Sequence, residues 1–327
     1  MEKVKSLISK IFPNKYHLYL ALLILLQLIF YIVFVVIDKS LPTWDSAGHI
    51  GLGFRTAFYV KNLVAGVEEH TLKGLMQLSD YYPPFMAFFG AAVALVVGYN
   101  YHILLFTQFI FFALLLVYMY KLINLYTKDE KVAFISTVVF SLFPQVVDQT
   151  HYYHLDIPLV LFLLMATYYL LKSQNFAKYK ETVLFFIFFA FSQLIKWYGF
   201  LFLIVPVMCC LIKGFVSRDN VKNKITRFLN ILSSSFVFIV IAIPWYVLNW
   251  KSLLSFTQIF SVGESDDPLS FIGQLLYYPG NTIGFMTLFI PFVLIFVGLY
   301  MRFMSNKKIG TLEFFYVFVP YITFSII

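Results

Sequence analysis

Two aspartates carry most of the chemical potential of this sequence: Asp45 in "TWDSAGHI" and Asp156 in "THYYHLDIPL". A carboxylate at a water boundary can take a proton as general base, hold a cation, or do no more than cap the first turn of a helix. All three readings are open for Asp45. Trp44 precedes it, and His49 follows four residues later, on the same face if the stretch is helical. A histidine such as His49 is by itself more often a structural hydrogen-bonding residue than a ligand. Asp156, two residues before Pro158, has the capping role open to it as well, but His151, Tyr152, Tyr153 and His154 crowd the same short segment. Asp45, Asp156 and His154 would make a divalent-cation set, although no fixed ligand spacing recommends it. Lys196, in "QLIKWYGFLFL", either snorkels to an interface or contacts a phosphate, with Tyr198 close behind it. Arg55 and His102 are further candidate phosphate contacts, His102 a pH-dependent one. Tyr82, in "DYYPPFMAFFG", belongs to an interfacial aromatic belt or to the wall of a cavity.

The elements that must hold these residues follow from composition. Of 327 residues 61% are hydrophobic and only 12% charged, which excludes a soluble globular chain and makes this an all-α polytopic membrane protein. Apolar segments of spanning or near-spanning length fall at 16–37, 103–123, 132–147, 157–172, 182–196, 198–212, 228–249, 281–301 and 311–327, about nine in all. The basic start lacks a small-residue cleavage site, so 16–37 reads as a retained span. Residues 84–98 would rise only about 22 Å as a helix, short of the roughly 30 Å hydrocarbon core. Charge decides their place. If 84–98 does not span, 18 of the 24 Lys and Arg residues fall on one side, which the positive-inside rule makes the cytoplasmic side, together with the N-terminus. The segment is therefore expected to be a juxtamembrane helix in a long first outer loop, 38–102, with a second large outer loop at 250–280. The overall charge of +8 is then a topology signal and nucleic acid drops out as a partner. Asp45 and Asp156 come to the same, extracytoplasmic face.

Absences narrow the chemistry. No glycine-rich phosphate loop is present, "ESDDP" at 264–268 lacks D-x-D spacing, and the spans carry no mid-bilayer charges of the kind transporters use. Cys209 and Cys210 are adjacent within an apolar run, where a disulfide would be strained, so they read as core or lipid-facing. The last residues, "VPYITFSII", stop inside a hydrophobic segment, and a missing C-terminal region is expected.

In order and spacing, "WDSAGHI", "YYPPFMAFFGAAVALVVG", "HLDIPLVLFLL", "KWYGFLFL" and "IPWYVLNW" resemble the GT-C superfamily of membrane glycosyltransferases. The similar branch holds protein O-mannosyltransferases and lipid A aminoarabinose transferases (glycosyltransferase family 39 type). The resemblance runs from about residue 40 to 250. It implies a single GT-C catalytic domain over 1–327 in the plasma membrane. Such an enzyme takes a sugar from undecaprenyl- or dolichyl-phosphate and attaches it to a protein, lipid or glycan acceptor on the outer face. It implies Asp45 as catalytic base, Asp156 as the second site aspartate, Lys196 as a donor-phosphate contact, and Trp44, His49, Tyr82, His154 and Tyr198 around the substrate. Ser46 stands where a second acidic residue often follows the first, and His102 where an arginine is common. A lipid or small-solute transporter is the alternative.

Overall fold

The computed structural model describes residues 14–216 and 220–261. The expected spans at 281–301 and 311–327, and most of the 250–280 loop, lie outside the described residues. Within them every regular element is helical, as backbone groups in hydrocarbon require. The first helix, α1 (Lys15–Ile37), is capped by Asn14, whose side chain accepts from the amides of Tyr16 and His17. Two helices follow, α2 (Trp44–Val64) and the single turn-and-a-half α3 (Leu72–Gln77), then α4 (Phe85–Val97). The apolar helix α4 has 13 residues, too short to cross, as its length predicted.

The bundle proper comprises α5 (Tyr101–Thr127), α6 (Glu130–Ser141), α7 (Pro144–His151), α8 (Asp156–Lys172), α9 (Tyr179–Gln193), α10 (Leu201–Val216) and α11 (Val221–Ser261), with a 3₁₀ turn at Trp197–Phe200 leading into α10. Among the described residues four helical stretches are long and apolar enough to span: Lys15–Ile37, Tyr101–Thr127, Trp197–Val216 and Val221–Ser255. The expected span 132–147 is instead broken. Helices α6 and α7 meet at 63°, because Phe143 is extended and Pro144, lacking an amide hydrogen, starts a new helix instead of continuing the old one. The expected spans 157–172 and 182–196 form helices of 17 and 15 residues. Both are short of the core thickness at 1.5 Å per residue. They pack on each other and on α5 and α11, with Leu161, Ala166, Leu170 and Phe185 fully buried between them.

Small residues set the outer layer. A methyl group added to Gly53 of α2 would lie 3.3 Å from the Gly90 Cα of α4, so the two backbones touch where neither residue has a side chain. Ala57, Ala91 and Ala94 continue that seam. The segment between α3 and α4 is tied down by the bundle. Trp245 of α11, fully buried, donates through Nε1 to Ser79 Oγ at 3.1 Å. Asn249 donates to the Met76 carbonyl at 3.0 Å, and the Phe85 amide donates to the Leu194 carbonyl at 2.9 Å. Thus the "IPWYVLNW" run serves as a clamp on the segment around α3.

Candidate active site

Both aspartates sit in the first turn of a helix, yet neither caps one. The N-cap of α2 is Thr43 and that of α8 is Leu155, and no side chain accepts a capping hydrogen bond at either. The capping reading of Asp45 and Asp156 is therefore replaced by placement in the first turns of α2 and α8, at their N-terminal dipole ends. The two helix starts are stitched together. The Tyr153 amide donates to Ser46 Oγ at 3.0 Å, and the Tyr153 hydroxyl donates to the Met86 carbonyl at 3.0 Å. Buried Ser46, next to Asp45, thus ties the start of α2 to the segment ahead of α8 without adding a second charge.

Between these segments lies a cavity of about 180 Å³. Asp45 and His49 come from α2, Tyr82 from the approach to α4, and His154 and Asp156 from the head of α8, while Lys196 and Tyr198 come from the α9–α10 connection. Four separate stretches of sequence converge because α2 and α4 share the small-residue seam and because Leu194 accepts from the start of α4. Lys196 Nζ lies 2.7 Å from Asp156 Oδ1. Burial disfavours the lysine's charge, but the Asp156 carboxylate and the Tyr198 hydroxyl outweigh it, and the net pKa is raised. Lys196 is a fixed cation. Its ammonium also sits 5.7 Å from the centre of the Tyr198 ring.

Asp45, by contrast, makes no hydrogen bond or ion pair among the described residues. His49 is only 8% exposed. Desolvation, partly opposed by Asp45, pushes its pKa down to about 4, so the ring is neutral at physiological pH. It meets Tyr82 edge-on at 5.0 Å, and burial, with Tyr81 and Asp45 adding to it, pushes the Tyr82 pKa up to about 12. Both groups are hydrogen-bonding, uncharged walls.

Three candidates are not brought to this cavity. Trp44 is 93% exposed and does not line it, and Arg55 is exposed on α2. His102 lines a separate small recess with Asp38 and His151, because Asn100 caps α5 and sets His102 in its first turn. Nor do Asp45, Asp156 and His154 form a cation set: no three-ligand group of His, Cys, Asp or Glu occurs among the described residues, and Asp156 is committed to Lys196. Residues that the reading of the sequence passed over include Tyr81, Pro83 and Trp197 in the wall. Gln108 is another. It is fully buried in α5 and donates to the His154 carbonyl at 2.7 Å. A lone amide inside an apolar run was its signal.

Residues 82–247, just over half of the chain, match the family model for dolichyl-phosphate-mannose-protein mannosyltransferase. The chain belongs to this family. As a member of the dolichyl-phosphate-mannose-protein mannosyltransferase family it is a multi-pass membrane glycosyltransferase of the GT-C type. The match takes in Tyr82, His154, Asp156, Lys196 and Tyr198, while Asp45 and His49 lie ahead of it. None of the curated proteins or solved structures compared with the chain matches it.

Proposed function

We propose that the cavity transfers mannose from a polyprenyl-phosphate carrier to a hydroxyl group on a protein at the extracytoplasmic face, with inversion at the anomeric carbon. One observation supports it above the rest: the cavity holds one carboxylate tied to a lysine and one carboxylate without a partner. A phosphate-linked sugar already carries a good leaving group. The reaction needs a base for the acceptor's proton and a cation for the phosphate, and no protein acid.

In this scheme Lys196, oriented by Asp156, donates its remaining N–H groups to the carrier phosphate and stabilises the charge that grows there as the sugar–oxygen bond breaks. Asp45 accepts the hydroxyl proton as the acceptor oxygen attacks C1 from the face opposite the phosphate. The new C1–O bond forms, the old one breaks with its electrons on the phosphate, and the proton leaves Asp45 for water, which the exposed carboxylate reaches directly. His49 and Tyr82, both neutral, add hydrogen bonds without adding charge. The cavity has room for a polar head and none for an isoprenoid chain, which stays in the bilayer.

The test is transfer from mannosyl-phosphoryl-polyprenol to a serine- and threonine-containing peptide by the full chain in nanodiscs. Asp45→Asn should lower kcat by roughly 10²- to 10⁴-fold, the range of a lost general base, with donor KM little changed. Full activity in that variant would sink the mechanism.

A further inference from the structure

The second outer segment contains a hydrogen-bond chain that the reaction above leaves unused. His154 lines the cavity, and its Nδ1 lies 2.8 Å from Gln149 Oε1. Gln149 Nε2 donates to Asp148 Oδ2 at 3.2 Å. A carboxylate can only accept, so Asp148 holds the amide with its NH₂ group towards itself and leaves the amide oxygen facing the imidazole. That oxygen also can only accept, so Nδ1 carries the ring hydrogen. A neutral imidazole has one donor and one acceptor nitrogen, and Nε2 is then the acceptor. It makes no hydrogen bond among the described residues. The ring is held in place as well as in tautomer, since Tyr152 stacks on it at 5.5 Å and Gln108 anchors its backbone carbonyl.

Such a chain is more than loop packing requires. Asp148 and Gln149 belong to α7 and His154 to the connection that follows, so the chain spans a sharp turn to reach one ring nitrogen. We propose that His154 presents Nε2 as a hydrogen-bond acceptor to a substrate hydroxyl, and that Gln149 is the positioning residue that fixes this tautomer. The proposal rests on the glycosyltransferase reading of the cavity and adds to it a group that recognises polyol, where Lys196 recognises phosphate. A sugar hydroxyl and the acceptor hydroxyl share the chemistry. The titratable groups around His154 are Asp148 beyond Gln149, Tyr152 stacked on the ring, Asp45 and His49 on α2, Tyr81 and Tyr82 ahead of α4, Asp156 on α8, Lys196 ahead of the 3₁₀ turn and Tyr198 within it.

The experiment uses the full chain in nanodiscs with ¹⁵N-labelled histidine, His154→Phe identifying the resonances. At neutral pH the wild-type ring should be in the Nδ1–H form, with the preference lost in Gln149→Leu, and its Nε2 resonance should move when mannosyl-phosphoryl-polyprenol and peptide are added. A dominant Nε2–H form, or an Nε2 signal indifferent to both substrates, overturns the proposal whether or not product forms. In transfer assays His154→Phe should lower kcat/KM roughly tenfold, the scale of one lost hydrogen bond. A rise in donor KM assigns the hydroxyl to the sugar, and a rise in peptide KM assigns it to the acceptor. Gln149→Glu keeps an acceptor for Nδ1–H, so it should retain the Nδ1–H bond that Gln149→Leu loses. An Nδ1–H preference that survives in Gln149→Leu would mean that Gln149 only packs, which also overturns the proposal. A wild-type protein that makes no product refutes the transfer reaction, and the tautomer and substrate-induced shift still decide this inference separately.

Discussion

At the scale of the residue, His49 fixes how the cavity meets acid. Burial moves its pKa from 6.5 to about 4, so between those values the unfolded chain binds the proton more readily than the folded one. Stability therefore rises with pH across that window and falls as pH drops through it, by at most about 3 kcal/mol at roughly 1.4 kcal/mol per unit. His49→Phe should flatten the loss of thermal stability between pH 7 and pH 4.5 in detergent-solubilised protein, and an unchanged acid dependence would contradict the assignment. The Lys196–Asp156 contact gives a second expectation. If Asp156 acts by holding Lys196, then Asp156→Asn and Lys196→Met should each raise donor KM, and the double variant should be little worse than Lys196→Met alone. Much of this was legible beforehand: Asp45, His49, Tyr82, His154, Asp156, Lys196 and Tyr198 were all singled out by type and neighbourhood. What type alone could not reveal was pairing. Nothing in "HLDIP" or "LIKWY" says that Asp156 and Lys196, forty residues apart, meet at 2.7 Å, or that His102 faces a different recess.

At the scale of the element, the seam between α2 and α4 does the positioning. A Cβ on Gly90 would come within 3.0 Å of the Tyr153 hydroxyl and 3.3 Å of the Gly53 Cα. The second contact is with backbone, which cannot rotate aside. Gly90→Ala should thus cost about 1–3 kcal/mol of stability through overpacking and should loosen the Tyr153–Met86 contact, lowering activity more than the distant Gly51→Ala, where nothing lies within 4 Å. Thermal unfolding and transfer rates measured side by side would check both. The shortness of α4 was readable from its apolar length. The break between α6 and α7 was not, because "VVFSLFPQVV" keeps its apolar character straight through the bend and only Pro144 marks it. Hydropathy reports solvent, and a kink is a matter of backbone donors.

At the scale of the whole molecule, composition and apolar length were enough for an all-helical membrane protein. The number of spans was less readable, since α8 and α9, flanked by other helices, need not match the bilayer's thickness by themselves. The side assignment is open to direct measurement. With Cys209 and Cys210 replaced by serine, a single cysteine at Lys61 or Lys73 should react with an impermeant maleimide in intact cells, and one at Lys131 or Lys178 only after permeabilisation. The reverse pattern would overturn the charge-based orientation and with it the extracytoplasmic site.

The partnered and unpartnered aspartates also bear on how a turnover ends. With His49 neutral, Lys196 balances Asp156 and Asp45 leaves the resting cavity one negative charge. The donor is a phosphodiester with a single charge, but the spent carrier is a phosphomonoester whose second ionisation lies near pH 6. In the proposed reaction Asp45 would hold the acceptor's proton directly after transfer and tolerate that product. Once the proton escapes to water, two anions face each other across a small space, and the spent carrier is driven back towards the bilayer. The base would in this way reset itself and eject the product in one event.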